Sequence, residues 1–96
     1  MNSKQRAALR AAASTEPPLF QCGKEGVTPS FCEAVDKALT ARELIKISVL
    51  RSSPEAVREA ATNTASKVGA ELVACIGNRF VLYRFSPDCD THVLAK

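Results

Sequence analysis

The stretch LFQCGKEGVTP, residues 19–29, organises the chain around it. Leu19–Cys22 is an apolar run that predicts a short strand, and Gly23-Lys24-Glu25-Gly26 follows as a loop in which two glycines bracket a lysine. Thr28 and Pro29 are typical of a helix start, with Thr28 as the N-cap and Pro29 in the first turn. Bare glycine backbone, free N–H groups at a helix start and one lysine together suit a phosphate. Many strand-to-helix turns carry glycine for steric reasons alone, so the loop by itself is a weak signal.

Periodicity on both sides of this stretch predicts three helices and four strands. The first helix is expected to begin with Ser3 as its N-cap, and the third with Ser53 as N-cap and Pro54 in its first position. Gly77-Asn78 between two β-rich runs reads as a hairpin turn. The order α-β-α-β-α-β-β follows, with helices at 3–14, 29–41 and 54–68 and strands at 19–22, 43–50, 71–76 and 79–85. This order predicts an α/β (α+β) fold, a two-layer sandwich with a mixed four-stranded sheet.

The bulk composition is that of one small domain. Ninety-six residues fit a single domain, here 1–96, and after Pro87 the sequence turns polar, so residues 89–96 are expected to form a loose tail. The sequence contains no apolar run long enough for a membrane span, and the N-terminus lacks the apolar core of a signal peptide. We therefore expect a cytoplasmic protein with no membrane partner.

The sequence is poor in groups for metal binding or catalysis. The four cysteines, at positions 22, 32, 75 and 89, match no metal motif, and His92 is the one histidine. A zinc site needs about four converging ligands, so the simpler interpretation is that these cysteines are free thiols. No nucleophile–histidine pair is credible, and the glycine loop lacks the Walker spacing. We therefore predict no cofactor, no metal, no small-molecule substrate and no enzymatic activity.

Basic residues are spaced along the chain in a way that permits nucleic acid as a partner. The net charge is +3, from 13 basic and 10 acidic residues, which fits a solvated mixed surface equally well. Lys46 on a strand could be either a solvated side chain or a nucleic-acid contact. Few aromatic residues are present, which favours contacts to the RNA backbone over base stacking. The candidate contacts are Lys4, Arg6 and Arg10 on the first helix, Gly23, Lys24, Glu25 and Gly26 in the loop, and Lys46, Arg79 and Arg84 on or beside strands.

Three linked motifs resemble one known family. They are GKEGVTP at residues 23–29, ARELIKI at 41–47 and IGNRFVLYR at 76–84, and the opening SKQRAALR at 3–10 is similar as well. In this order and spacing they resemble the YhbY-like proteins, stand-alone bacterial versions of the CRM domain (chloroplast RNA splicing and ribosome maturation). The resemblance implies an RNA-binding module associated with the precursor of the large ribosomal subunit. It also implies a fold similar to the C-terminal domain of translation initiation factor 3.

Two functions follow from these observations. The resemblance implies that residues 23–26 and the basic first helix contact ribosomal RNA during large-subunit assembly. Separately, we expect the protein to be a monomer. The alternative is a protein-interaction module that docks on a ribosomal protein or another ribosome-associated partner. Low net charge and the carboxylate of Glu25 in the loop motivate that alternative.

Overall fold

A computed structural model describes residues 2–89 and 92–94 and confirms the predicted element order. The helices are α1 (Ser3–Ser14), α2 (Pro29–Arg42) and α3 (Val57–Val68), and the strands are β1 (Phe20–Cys22), β2 (Leu44–Val49), β3 (Glu71–Ile76) and β4 (Arg79–Tyr83). The four strands form one sheet in the order β1-β2-β4-β3. Strand β1 runs parallel to β2, whereas β4 pairs antiparallel with both β2 and β3, so the sheet is mixed as predicted.

The main core lies on the face of the sheet that α2 and α3 cover. Ile47 pairs with Phe80 and Ile45 with Leu82 across the two central strands. Successive side chains of a strand point to opposite faces, so these four share one face. They are all buried against the apolar sides of α2 and α3. This half of the molecule is the two-layer arrangement that the sequence predicts.

Helix α1 lies on the opposite face and adds a partial third layer. Leu9 and Ala13 are buried there against Val73, Val81 and Tyr83. The two-layer prediction did not include this layer. The apolar residues of β4 alternate to both faces, and those on the second face need a cover of their own, which α1 provides at one end of the sheet.

Two helix starts differ from their predicted positions. Asn2, not Ser3, caps α1, because the Asn2 side chain accepts from the Gln5 N–H at 2.8 Å while the Gln5 side chain accepts from the Asn2 N–H at 3.1 Å. This reciprocal pair is a capping box. Helix α3 begins at Val57 and not at Pro54, because the Ser53 hydroxyl accepts from the Glu55 N–H and so forms a turn ahead of the helix.

Glu43 is a buried carboxylate between α2 and β2. It adopts a positive φ of 67°, a conformation that costs a non-glycine residue about 1–3 kcal/mol. Its carboxylate accepts hydrogen bonds from the backbone N–H groups of Ser86 (2.8 Å) and Val93 (3.0 Å), and pairs with His92 Nδ1 at 2.7 Å. Burial alone would raise the pKa of Glu43, but these three hydrogen bonds outweigh it and hold the pKa below its ordinary value of 4.5.

The described part of the C-terminal segment is not the loose tail that the sequence predicts. Besides the bonds to Glu43, Val93 and Leu94 pack against the cluster under α1, and the His92 ring stacks on Phe85 at 4.8 Å. Residues 90, 91, 95 and 96 lie outside the described residues. Residues 92–94 are therefore bound to the body of the fold through Glu43.

Acid unfolding tests the role of Glu43. A group whose pKa is lowered on folding contributes stability above its unfolded pKa, and this contribution is lost as the pH falls through the folded pKa. We expect Glu43→Gln to destabilise by about 1.5–3 kcal/mol at pH 7, because the amide replaces a charged acceptor. The difference from the native chain should shrink below about pH 4.5. Urea unfolding between pH 7 and pH 3 measures it, with the exposed Glu16→Gln as control. An equal difference at both pH extremes would contradict the role of the charge.

Candidate nucleic-acid interface

The glycine loop forms a tight turn at the end of β1. The Gly26 N–H donates to the Gly23 carbonyl at 2.9 Å, which leaves Lys24 and Glu25 exposed at the tip. The Thr28 hydroxyl accepts from the Phe31 N–H at 3.0 Å and caps α2 as predicted. The loop thus presents one cation and one carboxylate to solvent, together with the half-buried backbone of Gly23, beside a capped helix start.

The two glycines of the loop have different roles in the fold. Gly26 has a φ of 71°, and a Cβ there would lie 2.5 Å from Glu55 Oε1 and 3.0 Å from a ring carbon of Pro54. The same Glu55 oxygen accepts from the Val27 N–H at 3.1 Å, so the loop is pinned to the connection between β2 and α3. A Cβ on Gly23 would meet only Leu50, at an ordinary 3.8 Å. Packing therefore requires glycine at position 26, whereas nothing in the fold requires it at position 23.

Two further cations lie at the same end of the sheet as the glycine loop. The Leu50 N–H donates to the Cys22 carbonyl, and the Val49 N–H donates to Asn78 in the β3–β4 turn. Arg79, which follows this turn, and Arg51, which follows β2, are both exposed. We call this end, with the glycine loop, the β2–α3 connection and the β3–β4 turn, the loop end. The sequence prediction did not include Arg51 among the site residues. Its position directly after a strand was the feature from which it could have been identified.

Arg6 is used within the fold. Its Nη1 donates to the carbonyl oxygens of Leu72 (2.7 Å) and Val73 (2.9 Å). The register of β3 against β4 shifts between Leu72 and Ala74, which is a β-bulge in an edge strand. Arg6 satisfies carbonyls at this bulge and ties α1 to the sheet, which counts against its predicted role as an RNA contact.

Arg84 joins three elements in the same way. Its guanidinium bonds Asp36 Oδ1 at 2.6 Å and the carbonyl of Val68 in the last turn of α3 at 2.7 Å. It also donates to the Asp36 carbonyl at 2.9 Å and the Thr40 hydroxyl at 3.0 Å. A cation is favourable at a helix C-terminus, where carbonyl groups are unpaired. The geometry thus assigns Arg84 to holding α2, α3 and the end of β4 together.

The basic first helix and the glycine loop are not adjacent. Arg6 contacts the start of β3, which lies beside Tyr83 and hence Leu44, whereas the glycine loop follows Cys22 beside Val49. At about 3.3 Å per residue, these two ends of β2 are roughly 16 Å apart. Lys4 and Arg10 are exposed on α1. The basic first helix and the glycine loop therefore lie near opposite ends of the sheet, and the strand residues lie between them.

Lys46 lies between these groups, in the middle of β2 and on the face that α1 partly covers. Its carbonyl accepts from the Leu19 N–H at 2.7 Å, which extends the pairing of β1 with β2. Its half-buried side chain borders a small pit together with Glu16 and Arg42.

The described residues contain no group of three or more histidine, cysteine or acidic side chains placed to hold a metal ion. Cys22 and Cys32 form no disulfide among the described residues, and burial raises the pKa of both thiols. Among the described helices none is long and apolar enough to cross a membrane.

Comparison with known proteins agrees with the sequence motifs. The model of the CRS1 / YhbY (CRM) domain matches residues 1–84. The chain belongs to the CRM domain family. "Probable RNA-binding protein YqeI" of Bacillus subtilis (strain 168) is 39% identical over 88 residues, which is 92% of each chain. The solution structure of the hypothetical protein SAV1595 from Staphylococcus aureus, described as a candidate RNA-binding protein, matches with a TM-score of 0.76. It is 36% identical and covers 90% of both chains. The family resemblance and the fold class predicted from the sequence are thereby confirmed.

The two loop glycines of this CRM domain should respond differently to the same substitution. We expect Gly26→Ala to destabilise by about 1–2 kcal/mol or more, because alanine at positive φ is strained and its Cβ meets Glu55. Gly23→Ala should change stability by less than about 0.5 kcal/mol. Urea denaturation measures both, and equal effects would show that the steric difference is misassigned.

Substitution of the arginines of this CRM domain should affect stability according to whether the side chain bonds groups inside the fold. Arg6→Gln and Arg84→Gln should each destabilise by about 1.5–3 kcal/mol, since each removes charged hydrogen bonds to groups inside the fold. Arg10→Gln is the matched control on the exposed side of α1 and should stay within about 0.5 kcal/mol of the native chain. Thermal and urea unfolding of the three variants compares them, and a small effect of Arg84→Gln would contradict its assigned role.

Proposed function

We propose that this CRM domain binds RNA and that the glycine loop contacts the RNA backbone. The main support for this proposal is Gly23, which leaves the backbone without a side chain at an exposed turn, although the fold does not require glycine there. Lys24 at the same turn supplies a cation in solvent. Two relatives named for RNA binding support the same partner.

The aromatic residues favour backbone contacts over base stacking. Phe80 and Tyr83 are buried, and Phe20 and Phe31 pack against the main core. Phe85 is the one exposed phenylalanine or tyrosine, and it lies at the end of the sheet opposite the loop, stacked on His92. Modules that read unpaired bases commonly stack them on aromatic rings. The loop end has no such ring, which favours contacts to phosphate and sugar.

The proposed RNA is ribosomal RNA in the precursor of the large subunit. This assignment rests on the family resemblance. In cells, crosslinking followed by sequencing of the bound RNA tests it, together with sedimentation of the tagged chain. Reads concentrated in large-subunit ribosomal RNA and cosedimentation with subunit precursors are the expected result. Reads spread over messenger RNA would overturn the ribosomal assignment and leave RNA binding intact.

Glu25 supports a second candidate, docking on a ribosomal protein. Its carboxylate is exposed beside Lys24, where it repels phosphate and could instead meet a basic protein surface. Nuclease treatment separates the two candidates. Partners retained after nuclease favour protein docking, whereas loss of all partners favours RNA.

Removal of the loop cation should weaken RNA binding in a salt-dependent way. Each phosphate contact releases condensed counterion, so Lys24→Gln should reduce the slope of log K against log salt by about one. Lys37→Gln, an exposed lysine on α2 that removes the same charge, is the control and should leave the slope unchanged. Fluorescence anisotropy with a ribosomal RNA fragment measures both variants. Equal slopes for the two variants would contradict the loop contact.

A further inference from the structure

One half of the second sheet face is left uncovered by α1. On this face Gln21, Ser48, Arg79 and Ile76 form a continuous row across all four strands, since Gln21 pairs with Ser48, Ser48 with Arg79, and Arg79 with Ile76. None of the four belongs to the cluster under α1. Gln21 and Arg79 are exposed and Ile76 retains 54% of its accessible surface, whereas the short side chain of Ser48 between them is buried. At about 4.8 Å between strands, the row is roughly 14 Å wide.

The cations on this surface are arranged around the row. Lys46 lies diagonally from Arg79 on the neighbouring strand, because it pairs with Val81, and such diagonal neighbours are about 7–8 Å apart. Lys24 follows Gln21 by three positions at the loop end. The strand residues of the uncovered half include no acid. Glu16 borders the pit beside Lys46, and Glu25 lies in the loop.

Helix geometry places Arg10 at the border of the same surface. Ala12 lines the groove that contains Cys89 and Val93, on the side of α1 away from the loop end. At about 100° per residue, Arg10 is about 160° around the helix from Ala12. This angle places Arg10, which is exposed, on the flank of α1 that borders the uncovered half of the sheet.

The character of this surface decides what kind of RNA fits it. It is cationic, and it carries an amide at Gln21, an apolar side chain at Ile76 and no aromatic ring. Unpaired bases are commonly bound by stacking on aromatic rings, and this surface has none. A paired A-form segment instead presents a wide, shallow minor groove lined by 2′-hydroxyls and flanked by phosphates, and proteins recognise it by shape and backbone contacts.

We propose that the uncovered half of the sheet binds the backbone of a paired, A-form RNA segment that extends from the glycine loop across Arg79 and Lys46 to Arg10. Arg79, Lys46 and Arg10 contact phosphates, Gln21 bonds ribose hydroxyls, and Ile76 packs against sugar. This inference rests on the proposed function, since it names the class of RNA that the loop end contacts.

The test compares three nucleic acids and matched variants. The nucleic acids are an RNA hairpin with a long uninterrupted stem, an unpaired RNA of the same length, and a DNA duplex of the stem sequence. The variants are Lys46→Gln, Arg79→Gln and their double, with the exposed Lys37→Gln on α2 and Lys67→Gln in the last turn of α3 as controls away from the loop end. Thermal melting verifies that each variant is folded, and fluorescence anisotropy gives affinity against salt.

We expect the hairpin to bind more tightly than the unpaired RNA or the DNA duplex. Each of Lys46→Gln and Arg79→Gln should lower the salt slope for the hairpin by about one, and the double by about two, while the controls leave it unchanged. Hairpin binding that depends on Lys24 but not on Lys46 or Arg79 would overturn this inference and leave the proposed function standing. Tighter binding of the unpaired RNA, or equal binding of the DNA duplex, would overturn the A-form assignment. If the native chain binds no RNA even at low salt, the proposed function itself fails.

Discussion

The antiparallel pairing of β2 with β4 determines which side chains belong to the core and which face solvent. Ile47 opposite Phe80 and Ile45 opposite Leu82 fix the register, and a shift by one residue would turn all four away from α2 and α3. The same register places Lys46 and Arg79 on the other face. The apolar packing of one face thus fixes the positions of the cations on the other, without any contact between the two sets.

The two ends of the sheet are built differently. At the end away from the loop, Glu43 and Arg84 connect neighbouring segments through charged hydrogen bonds. Arg6 connects α1 to the bulge of β3 in the same way. Each of these groups is satisfied inside the protein, and the described residues contain no buried side-chain nitrogen or oxygen without a partner. At the loop end the cations have no such role. A count of basic residues therefore overstates the binding surface, because some of the cations are needed to hold the fold together.

Much of the fold could be predicted from the sequence, because its helices and strands carry strong periodicity and their order is simple. The Thr28-Pro29 helix start and the Gly77-Asn78 turn depend on neighbours in sequence, and both were predicted correctly. The predicted start of α3 was wrong because Ser53 and Pro54 are as favourable in a turn as at the beginning of a helix. The contacts of residues 92–94 could not be predicted, since their partner Glu43 is distant in sequence and itself resembles an ordinary surface residue.

The candidate site shows the same limit. Lys24 could be identified from the loop because glycines and a lysine stand together in sequence. The roles of Arg6 and Arg84 could not, because an arginine that binds carbonyls and one that faces solvent look alike until the partners are placed. Sequence also could not separate Gly23 from Gly26, since the difference arises from Glu55 and Pro54 in another connection. That separation matters for function. Hydrogen bonds from the Gly26 N–H to Gly23 and from the Val27 N–H to Glu55 hold the loop in the free chain, so we expect the proposed contact with RNA to cost little in loop ordering.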